Sequence, residues 1–408
     1  MPINTVNSTA VNASWKAGAA KPTQANKSAP TVKQAQPLLS STSTTVDALI
    51  DKSPIKTPLT REEALSKSFD RLGIDDNRKT LSKLHQGDES SVLIKKESGK
   101  PVLDHGAFVS NKKTNPYGDF DWINPKGLKK YQTGSVAEVQ FQNKEQLKHL
   151  SGEYHKCPLP DFMIQLLANE DCHDTRLHKT NSNLFSYIPP AGKDLNGFIV
   201  RPNAPYIGSG LQEVYNHHQT DLTTNKEGIT LCTYAIHPSI NSAFINEMTG
   251  DHAQTKGRPT TRKELEISQQ EMTKNSGARS LASILDLKAE DLPALRALRD
   301  QTVSHLKDAY KVDDSKDNTR MFFHFPVALK TATLHLHTWV NKGDHPLNDG
   351  RAFDLDDVIH HLESGKDIES MILERNNGTF HLPVSDSIKD IDGMPTKGVV
   401  ENKANLNL

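Results

Sequence analysis

The sequence predicts an α+β fold, built from antiparallel strands and helices. Three observations predict it. Short runs rich in β-branched and aromatic residues alternate with turn signals from about residue 80 onward. Two later stretches, 287–310 and 354–364, repeat apolar residues at helical spacing. Residues 1–60 are rich in Ser, Thr, Asn, Ala, Lys and Pro and have Trp15 as their sole aromatic, so they cannot bury enough apolar area to offset their ordering entropy.

A chain of 408 residues has room for two to three domains. Its hydrophobic fraction of 35% is low, which leaves room for ordered cores flanked by polar segments. Lys+Arg total 49 against 50 Asp+Glu, a balance that argues against a strongly basic nucleic-acid binder. No apolar run approaches the roughly 18 residues that a membrane span needs. The three cysteines, Cys157, Cys172 and Cys232, are odd in number and form no CxxC pair, which points to a reducing compartment rather than a disulfide framework. The start, MPINTVNSTAVNASWKAG, has no basic cluster followed by an apolar core, so it does not read as a classical signal peptide. This polar, Ser/Thr-rich leader resembles those of bacterial type III effectors, which implies action in a host-cell cytoplasm on a host target.

The elements follow in order. TREEALSKSFDRL from Thr60 reads as a short helix, with Thr60 and Glu63 spaced as a capping box. Residues 61–215 read as an irregular α+β accessory domain, with short strands (SSVLI, GAFVS, SVAEVQF, NGFIVRP) and a helix over 161–170. Residues 216–385 are better patterned and read as the second domain. EGITLCTYAI at 227–236 is a strand, and Arg258, Arg262 and Lys263 sit in a basic, solvated loop. In the following helix Leu292, Leu295, Leu298, Thr302, Leu306 and Ala309 share one stripe, with Pro293 in the first turn. TRMFFHF (319–325) and TLHLHTWV (333–340) read as strands, 354–364 as a helix, 379–384 as a short strand, and 386–408 as a polar tail.

The informative stretch is T-L-H-L-H-T-W. Strand alternation puts Thr333, His335, His337 and Trp339 on one face. His324 joins them if the two strands pair as a hairpin. Paired histidines suit a zinc site, a Ser-His-Asp hydrolase or a histidine nucleophile. The chain has neither HExxH nor GxSxG, so the first two lack their usual context. In the third, an imidazole nitrogen attacks a phosphate and water later releases the nucleotide.

The stretch RSLASILDLKAEDLPALRAL, then RMFFHF, TLHLH and DVIHHLE, resembles the C-terminal domain of scavenger mRNA-decapping enzymes of the histidine-triad (HIT) superfamily. The resemblance covers about residues 275–365. It implies a HIT-like antiparallel sheet with helices and a nucleotidyl-histidine mechanism that requires no metal or cofactor. By position, His335 takes the place of the nucleophile, His337 that of the third triad histidine, and Thr333 stands where the first is expected. His324 matches the histidine that ends the preceding strand. A second register makes His335 the first histidine, His337 the nucleophile and Trp339 the replaced third. The first needs the smaller insertion. The family's P-S-Y-Y turn is replaced by PVALKTA, in which Lys330 supplies a positive charge. Trp122, beside Asp119 and Asp121, is the candidate to stack a methylated base. The family's dimers imply a homodimer.

The expected function is hydrolysis of a cap dinucleotide, capped RNA or related dinucleoside polyphosphate. The alternatives are a nucleotide- or cap-binding module without turnover, and a transferase or lyase acting on a host protein.

Overall fold

A computed structural model describes residues 81–86, 90–98, 100–101, 107–111, 121–123, 135–203, 229–250, 261–314, 317–344 and 346–401. The leader at 1–60, the helix at Thr60 and Arg258 lie outside the described residues. The fold is α+β, with antiparallel sheets.

The first sheet comprises Leu81–Gln86 (β1), Ser90–Glu97 (β2), Lys100–Pro101 (β3), Ala107–Asn111 (β4) and Asp121–Ile123 (β5). It runs β1-β2-β4-β5, with β3 paired to β2.

Ser135–Gln140 (β6) leads into helix Lys144–Lys156 (α1), which Asn143 caps by accepting from the Gln146 amide at 3.0 Å. Asp161–Leu167 (α2) and His173–Thr180 (α3) follow, and α2 fills most of the span predicted as helix. Then come strands Ser186–Ile188 (β7), Gly197–Pro202 (β8) and Ile229–Ile236 (β9). Helices Ala243–Thr249 (α4), Arg262–Leu265 (α5) and Gln269–Ser276 (α6) precede Leu292–Tyr310 (α7). The predicted stripe of α7 is buried at Leu295, Leu298, Thr302 and Leu306, joined by Ala294 and Tyr310.

Strands Thr319–His324 (β10) and His335–Val340 (β11) pair antiparallel, with Phe322 opposite His337 and Arg320 opposite Trp339. After Pro346–Asp349 (α8) come Ala352–Asp354 (β12), Leu355–Glu363 (α9) and Ile368–Glu374 (α10). The central sheet runs β12-β10-β11-β9-β8-β7. It therefore hydrogen-bonds strands from both sides of residue 215. Its β9 and β8 runs are buried along their whole length. Phe323, Leu334 and Leu336 belong to the main core, as do Leu295, Leu298 and Val358 of α7 and α9. Helix α7 packs on β7 and β8, and α9 packs on β10. Burying one face in this way leaves the alternate residues to the other.

Strand Thr379–Pro383 (β13) and strand Thr396–Glu401 (β14) flank β6 in a third sheet. Part of the stretch expected as a tail is thus paired main chain, because β6 needs a partner on its second edge. An aromatic knot joins this sheet to the central one. Phe325, directly after β10, lies 5.8 Å from Phe141, 5.6 Å from Phe380 and 6.4 Å from Phe353 by ring centroids. Gly378, at φ 70°, presses against the Phe141 carbonyl where a Cβ would collide. Among the described residues no helix is long and apolar enough to cross a membrane.

Phe325 is fully buried where His324 leaves its strand. Phe325→Ala is expected to cost about 3–5 kcal/mol of stability, measured by chemical denaturation.

Candidate active site

The pairing of β10 with β11 and of β11 with β9 assembles the site. His335 lies opposite Tyr234, and His337 opposite Cys232 and Phe322. Side chains at paired positions share a face. The rings of His324 and His337 are 4.5 Å apart, and those of His335 and His337 5.1 Å. Tyr234 lies along His335 at 5.4 Å, and Phe322 stacks on His337 at 5.4 Å. These rings fix the imidazole row from both neighbouring strands.

The three histidines line a cleft of about 440 Å³, together with Cys232, Tyr234, Lys330, Trp339, Asp344, Asn348, Arg351 and Asp386 among others. Lys330 is exposed at its rim, in the 3₁₀ turn Leu329–Thr331. Two other expected positions differ. Thr333 precedes the strand, which begins at His335, and its hydroxyl is buried beside a separate small internal cavity lined by His237, Gln269 and Leu281. The alternation stops there because the Thr333 amide donates back to Thr331 in a turn, at 2.7 Å. Trp122 stands on β5 opposite Phe108, and its side chain lies outside the described residues.

Thr333 contributes through its main chain instead. Its carbonyl is 2.7 Å from His335 Nδ1. A carbonyl only accepts, so Nδ1 carries the proton and Nε2 keeps its lone pair. Burial lowers the His335 pKa below its ordinary value. The Arg351 charge lowers it too, against the Thr333 hydrogen bond, which raises it. The ring is therefore neutral near pH 7, the form in which an imidazole attacks. By contrast, burial pushes the Cys232 thiol up to about 11, so it stays protonated and is a poor nucleophile.

His324 is held from behind. Asn348 Nδ2 donates to His324 Nε2 at 3.1 Å, and Asp344 Oδ2 lies 3.6 Å from the same nitrogen. Asn348 also donates to Asp344. This places the proton of a neutral His324 on Nδ1.

Arg351 is a residue that strand patterning does not reveal. It is 5% exposed, and Nη2 donates to the Pro326 carbonyl at 2.7 Å. Among the described residues, its Nε and Nη1 have no hydrogen-bond partner. A buried guanidinium with open donors beside a neutral histidine is an arrangement that an anion would complete. Its only sequence signal is an arginine just before β12, which resembles any surface arginine. Trp339 Nε1 is likewise buried without an acceptor among the described residues, and Lys342 Nζ sits 3.7 Å over the Trp339 ring. Arg262, expected in a solvated loop, starts α5 and is clamped by Glu170 at 2.7 and 2.8 Å and by Asp161 at 3.0 Å. It does not line the cleft.

A segment of 109 residues, 26% of the chain, is 33% identical to the m7GpppX diphosphatase of Schizosaccharomyces pombe. It spans 34% of that protein, so the match covers about a third of the relative's length. No protein-family model matches the chain. The similarity supports a HIT-like relationship for this part of the molecule.

Proposed function

We propose that the chain hydrolyses a phosphoric anhydride in a cap dinucleotide, a capped RNA or a related dinucleoside polyphosphate. The observation that carries this reading is the His335 tautomer. Its Nδ1–H is spent on the Thr333 carbonyl, its Nε2 lone pair is left for attack, and the ring lines a cleft shared with Arg351. The similarity to an m7GpppX diphosphatase supports the substrate class.

In this mechanism His335 Nε2 attacks the phosphorus attached to the departing half of the substrate. A P–N bond forms as the bridging P–O bond breaks. Arg351, through Nε and Nη1, and His337 stabilise charge on the phosphoryl oxygens. His324, oriented by Asn348, donates a hydrogen bond through Nδ1–H to the bridging oxygen, and the leaving phosphate departs as an anion. Water then attacks the phosphorus and gives its proton to solvent, the P–N bond breaks, and His335 returns neutral with a mononucleotide released. His335 is the nucleophile in this reading rather than His337. Lys330 at the rim adds a positive charge along the phosphate chain, and Trp122 remains the candidate for stacking a methylated base. Delivery of the protein into a host cell belongs to the same proposal and rests on the composition of residues 1–60 alone.

The test is to incubate the full chain with methylated and unmethylated cap dinucleotides and diadenosine polyphosphate in EDTA, reading products by chromatography and mass. Release of a mononucleotide is expected, reduced at least about 1,000-fold in His335→Asn. Saturable binding without turnover in the wild type would favour the non-hydrolytic module, with Thr333 in place of the first triad histidine as its cause. Arg351→Ala is expected to lower kcat/KM by about 100- to 1,000-fold, the loss typical of one charge-stabilising donor. The acid limb of kcat/KM against pH is expected to fall at a pKa below the ordinary histidine value of about 6.5, since His335 must be neutral to attack and its pKa is lowered. A limb above that value would assign the nucleophile elsewhere.

A further inference from the structure

A polar chain runs from the cleft into the fold behind His324. Asp344, Asn348 and His324 are all buried, and all line the cleft. Asn348 Nδ2 meets both neighbours: it donates to Asp344 Oδ2, and to His324 Nε2 at 3.1 Å. Asp344 Oδ2 is 3.6 Å from the same imidazole nitrogen, beyond hydrogen-bond reach, so the hydrogen-bonded route to the ring passes through the amide.

An Asn–His pair is by itself ambiguous. The amide can turn its NH2 to Nε2, which then accepts, or its oxygen, to which Nε2–H then donates. The two choices give opposite tautomers of a neutral ring. The first puts the proton on Nδ1, and the second leaves a lone pair there. Asp344 breaks the tie. An ionised carboxylate only accepts hydrogen bonds, so the amide must face it with NH2. Turned over, the amide would set its oxygen against the carboxylate in a buried site, where two acceptors cannot satisfy each other.

The backbone that carries Asn348 is anchored by other residues. The Arg351 amide donates to the Asn348 carbonyl at 3.0 Å, Arg320 pairs with the Asp349 carboxylate, and Arg375 donates to the Asp349 carbonyl at 3.3 Å. Asp344 therefore governs the direction of the amide rather than the course of the chain. We infer that Asp344 is a positioning residue that, through Asn348, fixes His324 in its Nδ1–H tautomer. The kinetic consequence rests on the hydrolase reading above, in which Nδ1–H donates to the bridging oxygen. A lone pair in its place would repel that oxygen as negative charge grows on it.

The experiment records heteronuclear NMR correlation spectra of the histidine ring nitrogens in the full chain, at mildly alkaline pH, where an ordinary histidine with a pKa of about 6.5 is neutral. The His324 signals are identified by their loss in His324→Gln. The wild type is expected to show His324 protonated at Nδ1 alone. Asp344→Leu removes the acceptor, and Asp344→Asn keeps the volume but can face the amide with either end. Both variants are expected to show the Nδ1–H and Nε2–H forms together. His335, whose tautomer the Thr333 carbonyl sets, is expected to stay Nδ1–H in both and so reports an intact site. On a cap dinucleotide, both are expected to lose at least about 10-fold in kcat with KM little changed, the split that marks an interaction made in the transition state. Three results would each overturn the inference: an Nε2–H form of His324 in the wild type, a single Nδ1–H form in a variant that keeps the His335 signature, or a shifted tautomer with kcat unchanged. Loss of the His335 signature in both variants would make Asp344 a structural residue and overturn it as well. Absence of turnover in the wild type would instead defeat the hydrolase reading, and the spectra would still decide the role of Asp344.

Discussion

The candidate site depends on one constraint: the central sheet is dry on one face, so β11 has a single permitted register. Leu336 and Thr338 are buried on that side, and a slip of one residue would drive His335 and His337 into the core. Antiparallel pairing with β10 and β9 then sets their neighbours. Phe322 and His324 come from one side, Cys232 and Tyr234 from the other. The imidazole row is a consequence of which face could be buried.

The same constraint sets the electrostatics. A ring surrounded by Tyr234, His337 and Arg351 loses water, and a charged imidazole loses more than a neutral one. The Thr333 carbonyl then selects the tautomer. Arg351 is itself a buried cation with unmatched donors, which opposes stability. Its retention beside a neutral histidine is understandable if an anion completes the hydrogen bonding during function. Structure and chemistry are linked here through the cost of leaving buried polar groups unsatisfied.

The fold was legible wherever local pattern and tertiary burial agree. The stripe of α7, the strands β9, β10 and β11 and the helix α9 all bury residues at their own period. The gathering of His324, His335 and His337 was legible because pleat alternation and a short connection leave few options. Strand alternation puts Thr333 on the histidine face, but the strand begins two residues later and Thr333 lies in a turn closed by the Thr331 carbonyl. Strand β14 was missed because TKGVVE is short and polar, and its strand character comes from the open edge of β6.

By itself, the sequence determined the alternation of faces, the helical stripes and the histidine row, because each is a local periodicity that burial must respect. Tertiary structure alone decided the rest of the cleft. Arg351 and Asp386 line the His335 cleft from just before β12 and just after β13, and neither position carries a periodic signal. The turn that sets the His335 tautomer is tied down by hydrogen bonds of Leu334 to the distant Leu281 and Ala235. Long-range packing sets which polar atoms are buried together, and that is where the charge of the site is settled.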